Sequence, residues 1–121
     1  MQAEEREDAK AYLEDILTAA RKIGRYVDGY AYDDFVFDER TFDAVLRNLE
    51  IIGEAAKKTP LAIKALAPEV EWRGMAGLRD VLIHGYATVS AAIIWDVVTV
   101  KLPALADRID DLLRRLDGFS A

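Results

Sequence analysis

The segment that decides the fold is residues 90–118, SAAIIWDVVTVKLPALADRIDDLLRRLDG. Its apolar residues recur at steps of three and four, the spacing of one face of an α-helix; they are Ile94, Val98, Leu102, Leu105, Ile109, Leu112 and Leu116. Because this register continues across Pro103, the pattern predicts one long helix that is kinked at the proline. Ser90 is the expected N-cap of this helix, and Gly118 is its expected end.

The same spacing occurs upstream. It predicts a first helix over residues 4–28, a second from an Asp38 cap to about Lys57, a short one from Thr59-Pro60 to near Pro68, and a fourth over residues 71–84.

Residues 29–38 are rich in Asp and aromatic residues and are expected to form a loop. Its acidic residues would repel phosphate, so we expect its aromatic rings to pack in the core or against a partner rather than to stack on bases. No segment has the alternating pattern of a strand. The sequence therefore predicts an all-α bundle of four to five helices, forming a single domain over residues 1–121.

Composition narrows the class of protein. Of the 121 residues, 52% are hydrophobic, which suffices for a packed core and leaves apolar surface for a partner. The chain has no Cys, so disulfides and thiolate metal sites are excluded. Its N-terminal residues lack the pattern of a secretion signal, and no apolar run approaches the ~20 residues of a membrane span. We therefore expect a soluble, cytoplasmic protein.

The net charge of −6 disfavours nucleic-acid binding, because such binding gains affinity when Lys and Arg displace counterions. The charge is unevenly distributed, however. Residues 47–84 contain six basic and five acidic residues, a net charge of +1, whereas the rest contains ten basic and seventeen acidic residues, a net charge of −7. Affinity for RNA is therefore expected to be modest and sensitive to salt.

The chemically most unusual stretch is Arg79-Asp-Val-Leu-Ile-His84-Gly-Tyr86, which contains the only His of the chain. Arg can hold a phosphate with its planar donors, and His can exchange a proton near neutral pH. A structural role is the alternative, because an imidazolium suits the C-terminal end of a helix and Gly85 commonly ends one. On an ideal helix Arg79 and His84 lie about 140° apart. They can act together only if the helix loosens at Gly85 or if they meet across a symmetric dimer.

Four separated motifs, which together span about residues 33–116, resemble the HEPN superfamily and specifically its HepT-like toxins. They are the spacing of Arg79, His84 and Tyr86, the segment 43–55 that ends in Gly-Glu-Ala, Trp72 ahead of Arg79, and Ile94-Trp95 followed by Leu102-Pro103-Ala-Leu105. Where this family usually has Asn after the Arg, the chain has Asp80.

The resemblance implies an endoribonuclease toxin that acts as a symmetric homodimer, with Arg79 and His84 as catalytic residues and with no metal or other cofactor. Such toxins pair with a minimal nucleotidyltransferase antitoxin. In that family the antitoxin silences the nuclease by adding adenylyl groups to the Tyr of the motif, here Tyr86.

Two acidic residues have open roles. Asp80 is expected either to orient His84 or Arg79 or to form a surface ion pair. Glu54, in the Gly-Glu-Ala element, is expected either to help position Arg79 or to lie at the surface near Lys57 and Lys58. Gly74 and Gly77 weaken helix propensity by roughly 1 kcal/mol each, which is consistent with close helix packing or with backbone near a ligand.

A second function is a non-catalytic helical module that binds and presents a molecule to a nucleotidyltransferase. The net charge and Asp80 favour this module, whereas the intact Arg79, His84 and Tyr86 favour the nuclease. A metal-binding four-helix bundle is set aside, because it needs inward Glu-x-x-His pairs and the chain has a single His.

Overall fold

The computed structural model describes residues 2–85 and 89–120, without the side chains of residues 119 and 120. Its helices are α1 (Ala3–Tyr26), α2 (Tyr32–Phe37), α3 (Glu39–Lys58), α4 (Leu61–Lys64), α5 (Trp72–Gly85), α6 (Ala91–Asp96) and α7 (Leu102–Ser120), with a π-helical turn at Val97–Lys101. The described residues contain no strand, so the predicted all-α class is confirmed. None of their helices combines the length and the apolar sequence needed to span a membrane.

The core is formed by the apolar helix faces that the sequence predicts. Helix α3 packs against both α1 and α5, and α1 also packs against α7. Fully or almost fully buried side chains from these faces include Leu13, Ile16, Ile23, Val45, Leu49, Ile52, Ile109, Leu112 and Leu116. Each such side chain contributes about 1.5–3 kcal/mol relative to an exposed one. Helix α5 has its extensive contacts with α3, so α3 determines where the motif residues lie.

The expected loop over residues 29–38 is wrong in part, because it contains α2. The Asp34 carboxylate accepts a hydrogen bond from the Ala31 N–H at 2.8 Å, which stabilises the start of this short helix. Its aromatic residues pack as predicted: Phe35 is fully buried, and its ring centroid lies 5.2 Å from those of Phe42 and Trp95. A six-residue helix is too short to show a helical period, so the Asp-rich composition suggested a loop.

The ends of α3 confirm one expectation and correct another. Asp38 is the N-cap, since its Oδ1 accepts a hydrogen bond from the Thr41 N–H at 3.1 Å. Thr59, however, does not begin the short helix that follows. Its hydroxyl donates to the Ala55 carbonyl at 2.8 Å, so it closes the end of α3. Helix α4 then begins after Pro60 and ends at Lys64, before the expected end near Pro68.

The last helix is continuous across Pro103, as predicted, but its irregularity lies before the proline. The Leu102 N–H donates to the Val97 carbonyl, five residues back, which makes the turn π-helical. A regular α-helix would place the Pro103 ring against the carbonyl of Thr99. The predicted end at Gly118 is wrong, since α7 extends to Ser120. Ser90 occupies the N-cap position, although its side chain makes no capping hydrogen bond.

Candidate active site

The contact between α3 and α5 is unusually close at Gly53, in the Gly-Glu-Ala element. A Cβ atom added to this buried glycine would lie 2.2 Å from Arg79 Cβ and 2.6 Å from the carbonyl oxygen of Met75. Both distances are shorter than any ordinary contact, so only a residue without a side chain fits here. Gly53 thereby sets the distance between α3 and the helix that carries Arg79.

This close approach brings Glu54 to Arg79. Glu54 Oε2 lies 2.9 Å from Arg79 Nε, and its Oε1 lies 3.6 Å from Lys58 Nζ. The Arg79 Nε is buried, and its N–H is not directed at an acceptor, so the 2.9 Å contact is an ion pair without hydrogen-bond geometry. Glu54 therefore contacts Arg79 and also lies near Lys58. With 24% of its side chain exposed, Arg79 is held from one side and still reaches the surface.

Asp80 contacts a different nitrogen of the same guanidinium. Its Oδ1 accepts a hydrogen bond from Arg79 Nη1 at 3.1 Å and lies 3.8 Å from Lys57 Nζ. The pKa of the Asp80 carboxyl is lowered, chiefly by the hydrogen bond from Arg79, with smaller contributions from the charges of Lys57 and His84. Of the alternatives for Asp80, the structure shows ion pairs with Arg79 and Lys57.

His84 is exposed near the end of α5, on a different side of the helix from Arg79. The helix extends through Gly85, so up to that residue it does not loosen, and the two side chains keep a separation of about 140° around the axis. A single chain therefore does not align Arg79 and His84 on one face of the helix. Tyr86, the expected modification site, lies outside the described residues.

A cleft of about 330 Å³ adjoins Arg79 on the side of α1 and α3. Its lining residues come from three helices and include Tyr12, Asp15, Arg47, Glu50, Ile51, Glu54, Lys58, Arg79 and Ile83. This cleft is not among the features that the sequence predicts. A signal was present, because the five lining residues at 47, 50, 51, 54 and 58 follow the three- and four-residue spacing of one helix face.

The glycines of α5 do not have the packing role that was considered for them. A Cβ at Gly77 would meet no atom within 4 Å, and one at Gly74 would meet only the Glu71 side chain, at 3.4 Å or more. Close helix packing depends instead on Gly53 of α3. In the described residues, no group of three or more His, Cys, Asp or Glu side chains is arranged to hold a metal ion.

Comparison with known proteins finds similar sequences over most of the chain. The family model described as "Ribonuclease HepT-like" matches residues 16–112. A candidate RNase of Methanocaldococcus jannaschii is 39% identical over 113 residues, covering 93% of each chain. A probable ribonuclease HepT of Thermococcus cleftensis is 43% identical over 103 residues, which cover 85% of this chain and 94% of that protein. No solved structure matches the chain.

Proposed function

Because the chain belongs to the HepT-like ribonuclease family of the HEPN superfamily, we propose that it is an endoribonuclease whose active site forms across a symmetric homodimer. The observation that supports this most directly is the setting of Arg79. Its guanidinium is held between Glu54 and Asp80 and still reaches the surface, on the helix that also presents the exposed His84. The relatives named as ribonucleases support RNA as the substrate.

The proposed chemistry uses the 2′-hydroxyl of RNA as the nucleophile. One His84 removes the proton from this hydroxyl, the 2′-oxygen bonds to phosphorus, and the bond from phosphorus to the 5′-oxygen breaks. A second, protonated His84 gives its proton to the leaving 5′-oxygen, so the products are a 2′,3′-cyclic phosphate and a 5′-hydroxyl. Arg79 stabilises the charge that develops on the phosphate oxygens. In this proposal the reaction requires no metal ion.

A dimer explains how residues on different sides of one helix can serve one reaction. Two-fold symmetry supplies a second His84 and a second Arg79, so each proton transfer has its own imidazole. Val81, three residues before His84, is 53% exposed. Burial of this apolar side chain between two copies of α5 would favour the association.

We also propose that the chain is the toxin of a toxin–antitoxin pair and that its antitoxin is a minimal nucleotidyltransferase. The antitoxin would silence the nuclease by adding adenylyl groups to Tyr86. Tyr86 follows His84 by two positions, a span of about 3–7 Å along the chain, so a phosphate attached to this Tyr would lie near the nuclease groups. Pairing of that phosphate with Arg79 would block the place of the RNA phosphate.

The test is RNA cleavage by the purified protein and its variants. Arg79→Ala and His84→Ala should abolish cutting and leave the helical circular dichroism unchanged, whereas Arg73→Ala, at an exposed position on the same helix, should cut normally. Cutting should survive EDTA, should leave cyclic phosphate ends, and should fail on DNA because it lacks the 2′-hydroxyl. Normal cutting by either active-site variant would contradict the proposed site.

The composite site has its own test. Sedimentation equilibrium should give twice the 13.5 kDa mass of the chain. Mixing wild-type protein with excess His84→Ala should form hybrid dimers and reduce activity by more than simple dilution of the wild type. Activity that stays proportional to the amount of wild-type protein would show that one protomer is sufficient.

A second candidate function, the non-catalytic module that partners a nucleotidyltransferase, is favoured by one feature. Two carboxylates, from Glu54 and Asp80, contact the Arg79 guanidinium and reduce its attraction for phosphate, in a chain of net charge −6. This function predicts a complex with the nucleotidyltransferase but no RNA cleavage under any condition that keeps the protein folded.

A further inference from the structure

The cleft between α1, α3 and α5 contains groups suited to a second part of an RNA substrate. We propose that it is a subsite for one nucleobase next to the phosphate that Arg79 holds, and that it favours bases with an amino group over uracil. This inference rests on the proposed nuclease function. In this role the cleft selects the base beside the phosphate, which is a task separate from the cleavage reaction.

The size and walls of the cleft fit a single base. Its volume of about 330 Å³ is at the small end of the ~300–1,000 Å³ range of small-molecule pockets, so it accommodates one nucleoside rather than a longer stretch. Its apolar walls are formed by the half-buried Tyr12 of α1, by Ile51 of α3 and by Ile83 of α5. An aromatic ring beside aliphatic side chains provides a surface on which a base can stack.

The charges of the cleft favour a base over a second phosphate. The cations Arg47, Lys58 and Arg79 are balanced by the carboxylates Asp15, Glu50 and Glu54, so the lining has three charges of each sign and no net charge. A phosphate gains little from such a lining, since the carboxylates repel it as the cations attract it. A neutral base, with hydrogen-bond donors and acceptors on one edge, can use groups of both kinds.

The carboxylates give the expected preference among bases. Glu50, with 28% of its side chain exposed, lies with Oε2 at 3.4 Å from Arg47 Nη1, so its Oε1 can accept a hydrogen bond from a ligand. Carboxylates accept hydrogen bonds from the amino groups of cytosine, adenine and guanine, whereas the one base donor of uracil, its N3–H, lies between two carbonyl oxygens that repel a carboxylate. Arg47 can donate to a ring nitrogen or carbonyl of the same base.

The experiment measures binding to 2′-O-methyl RNA, which has no free 2′-hydroxyl and cannot be cut. A single abasic position is moved along an oligonucleotide, and affinity is measured by fluorescence anisotropy for wild type, Tyr12→Ala and Tyr12→Phe. One abasic position should weaken wild-type binding by roughly 10- to 100-fold, the range of a lost base–aromatic stack. Tyr12→Ala should weaken binding to the intact oligonucleotide by a similar factor. For this variant, the abasic position should cause no further loss of affinity.

The controls separate this inference from the proposed function. Tyr12→Phe should keep most of the affinity, and Tyr26→Ala, on the same helix but outside the cleft lining, should bind like wild type. Glu50→Gln should reduce the preference for amino bases over uracil at that position. If Tyr12→Ala binds every oligonucleotide like wild type, or if its loss and the abasic loss simply add, the cleft is not the base subsite. Failure of the nuclease proposal appears separately, as absence of cleavage by wild type on unmodified RNA.

Discussion

The substitution Gly53→Ala tests whether the close contact between α3 and α5 fixes the position of Arg79 in the candidate active site. The new Cβ would lie 2.2 Å from Arg79 Cβ, whereas ordinary contact begins at 3.4 Å, so the atoms must separate by at least the difference, 1.2 Å. The second close atom is the Met75 carbonyl oxygen, at 2.6 Å. It belongs to the backbone, so a side-chain rotation cannot relieve the overlap and α5 must move away from α3.

The expected cost follows from two opposing terms. Overpacking costs about 1–3 kcal/mol of unfolding free energy. Replacement of a helical Gly by Ala returns about 1 kcal/mol through helix propensity. Gly77→Ala is the matched control, because it makes the same exchange on α5 where no atom lies within 4 Å. The propensity term is common to both variants, so Gly53→Ala should be less stable than Gly77→Ala by the packing term, about 1–3 kcal/mol.

The assay is urea denaturation followed by circular dichroism, together with RNA cleavage by the same preparations. Gly77→Ala should be as stable as wild type or more so, whereas Gly53→Ala should lose stability and cleave more slowly, since the 2.9 Å contact between Arg79 and Glu54 lengthens as α5 moves. Adding Arg79→Ala should not restore stability, because Ala keeps the Cβ that overlaps. Equal stability of the two Gly→Ala variants would refute the close contact.

Three further predictions concern single interactions. The Tyr30 hydroxyl donates to Asp38 at 2.5 Å, and this hydrogen bond is the main cause that lowers the pKa of Asp38 to about 2, below the ~3.9 of an unfolded Asp. The stabilisation of the fold that comes from the lowered pKa is therefore complete above about pH 4 and is lost as the pH falls through about 2. Tyr30→Phe should therefore show a shallower loss of stability over that window in urea titrations, and an unchanged slope would contradict the assignment. Asp80→Asn removes a carboxylate from Arg79 and should lower the KM for RNA by up to about 5-fold, the scale of an exposed ion pair; a higher KM would show that Asp80 mainly positions Arg79. Trp72→Phe removes the 3.1 Å hydrogen bond from Trp72 Nε1 to the Ala67 carbonyl, which still accepts from the Val70 N–H, and should cost about 0.5–1.5 kcal/mol in unfolding free energy. A neutral effect would mean that the Val70 hydrogen bond alone satisfies this carbonyl.

The parts of the fold that sequence predicts well are the long helices with one buried face. The register of the last helix, from Ile94 to Leu116, corresponds residue by residue to buried positions. Short elements were less predictable, because α2 has six residues and α4 has four, too few for a period to appear. The role of Thr59 was misassigned since the same residue type can cap the start of one helix or bond back to the end of the preceding one.

For the candidate site, the sequence can suggest residue types but not the contacts between them. The spacing around Arg79 and His84 indicated the chemistry, and the helix confirms how far apart they lie on one chain. The contact of Arg79 with Glu54 could not be derived from the sequence, because it depends on the distance between two helices, which Gly53 sets. The cleft beside Arg79 is lined by residues of α1, α3 and α5, so the pattern within one helix could not predict it.

The π-helical turn has a consequence for how the last helix can vary. At 3.6 residues per turn, a four-residue step rotates a side chain about 40° too far, so the two steps from Ile94 through Val98 to Leu102 would drift by about 80°. The π turn winds more slowly over this stretch, and all three side chains remain buried. The turn thus resets the direction of the buried face between α6 and α7. The buried face of α6 can therefore fit the aromatic side chains of α2, and that of α7 can fit α1, although a single regular helix would not direct both faces inward.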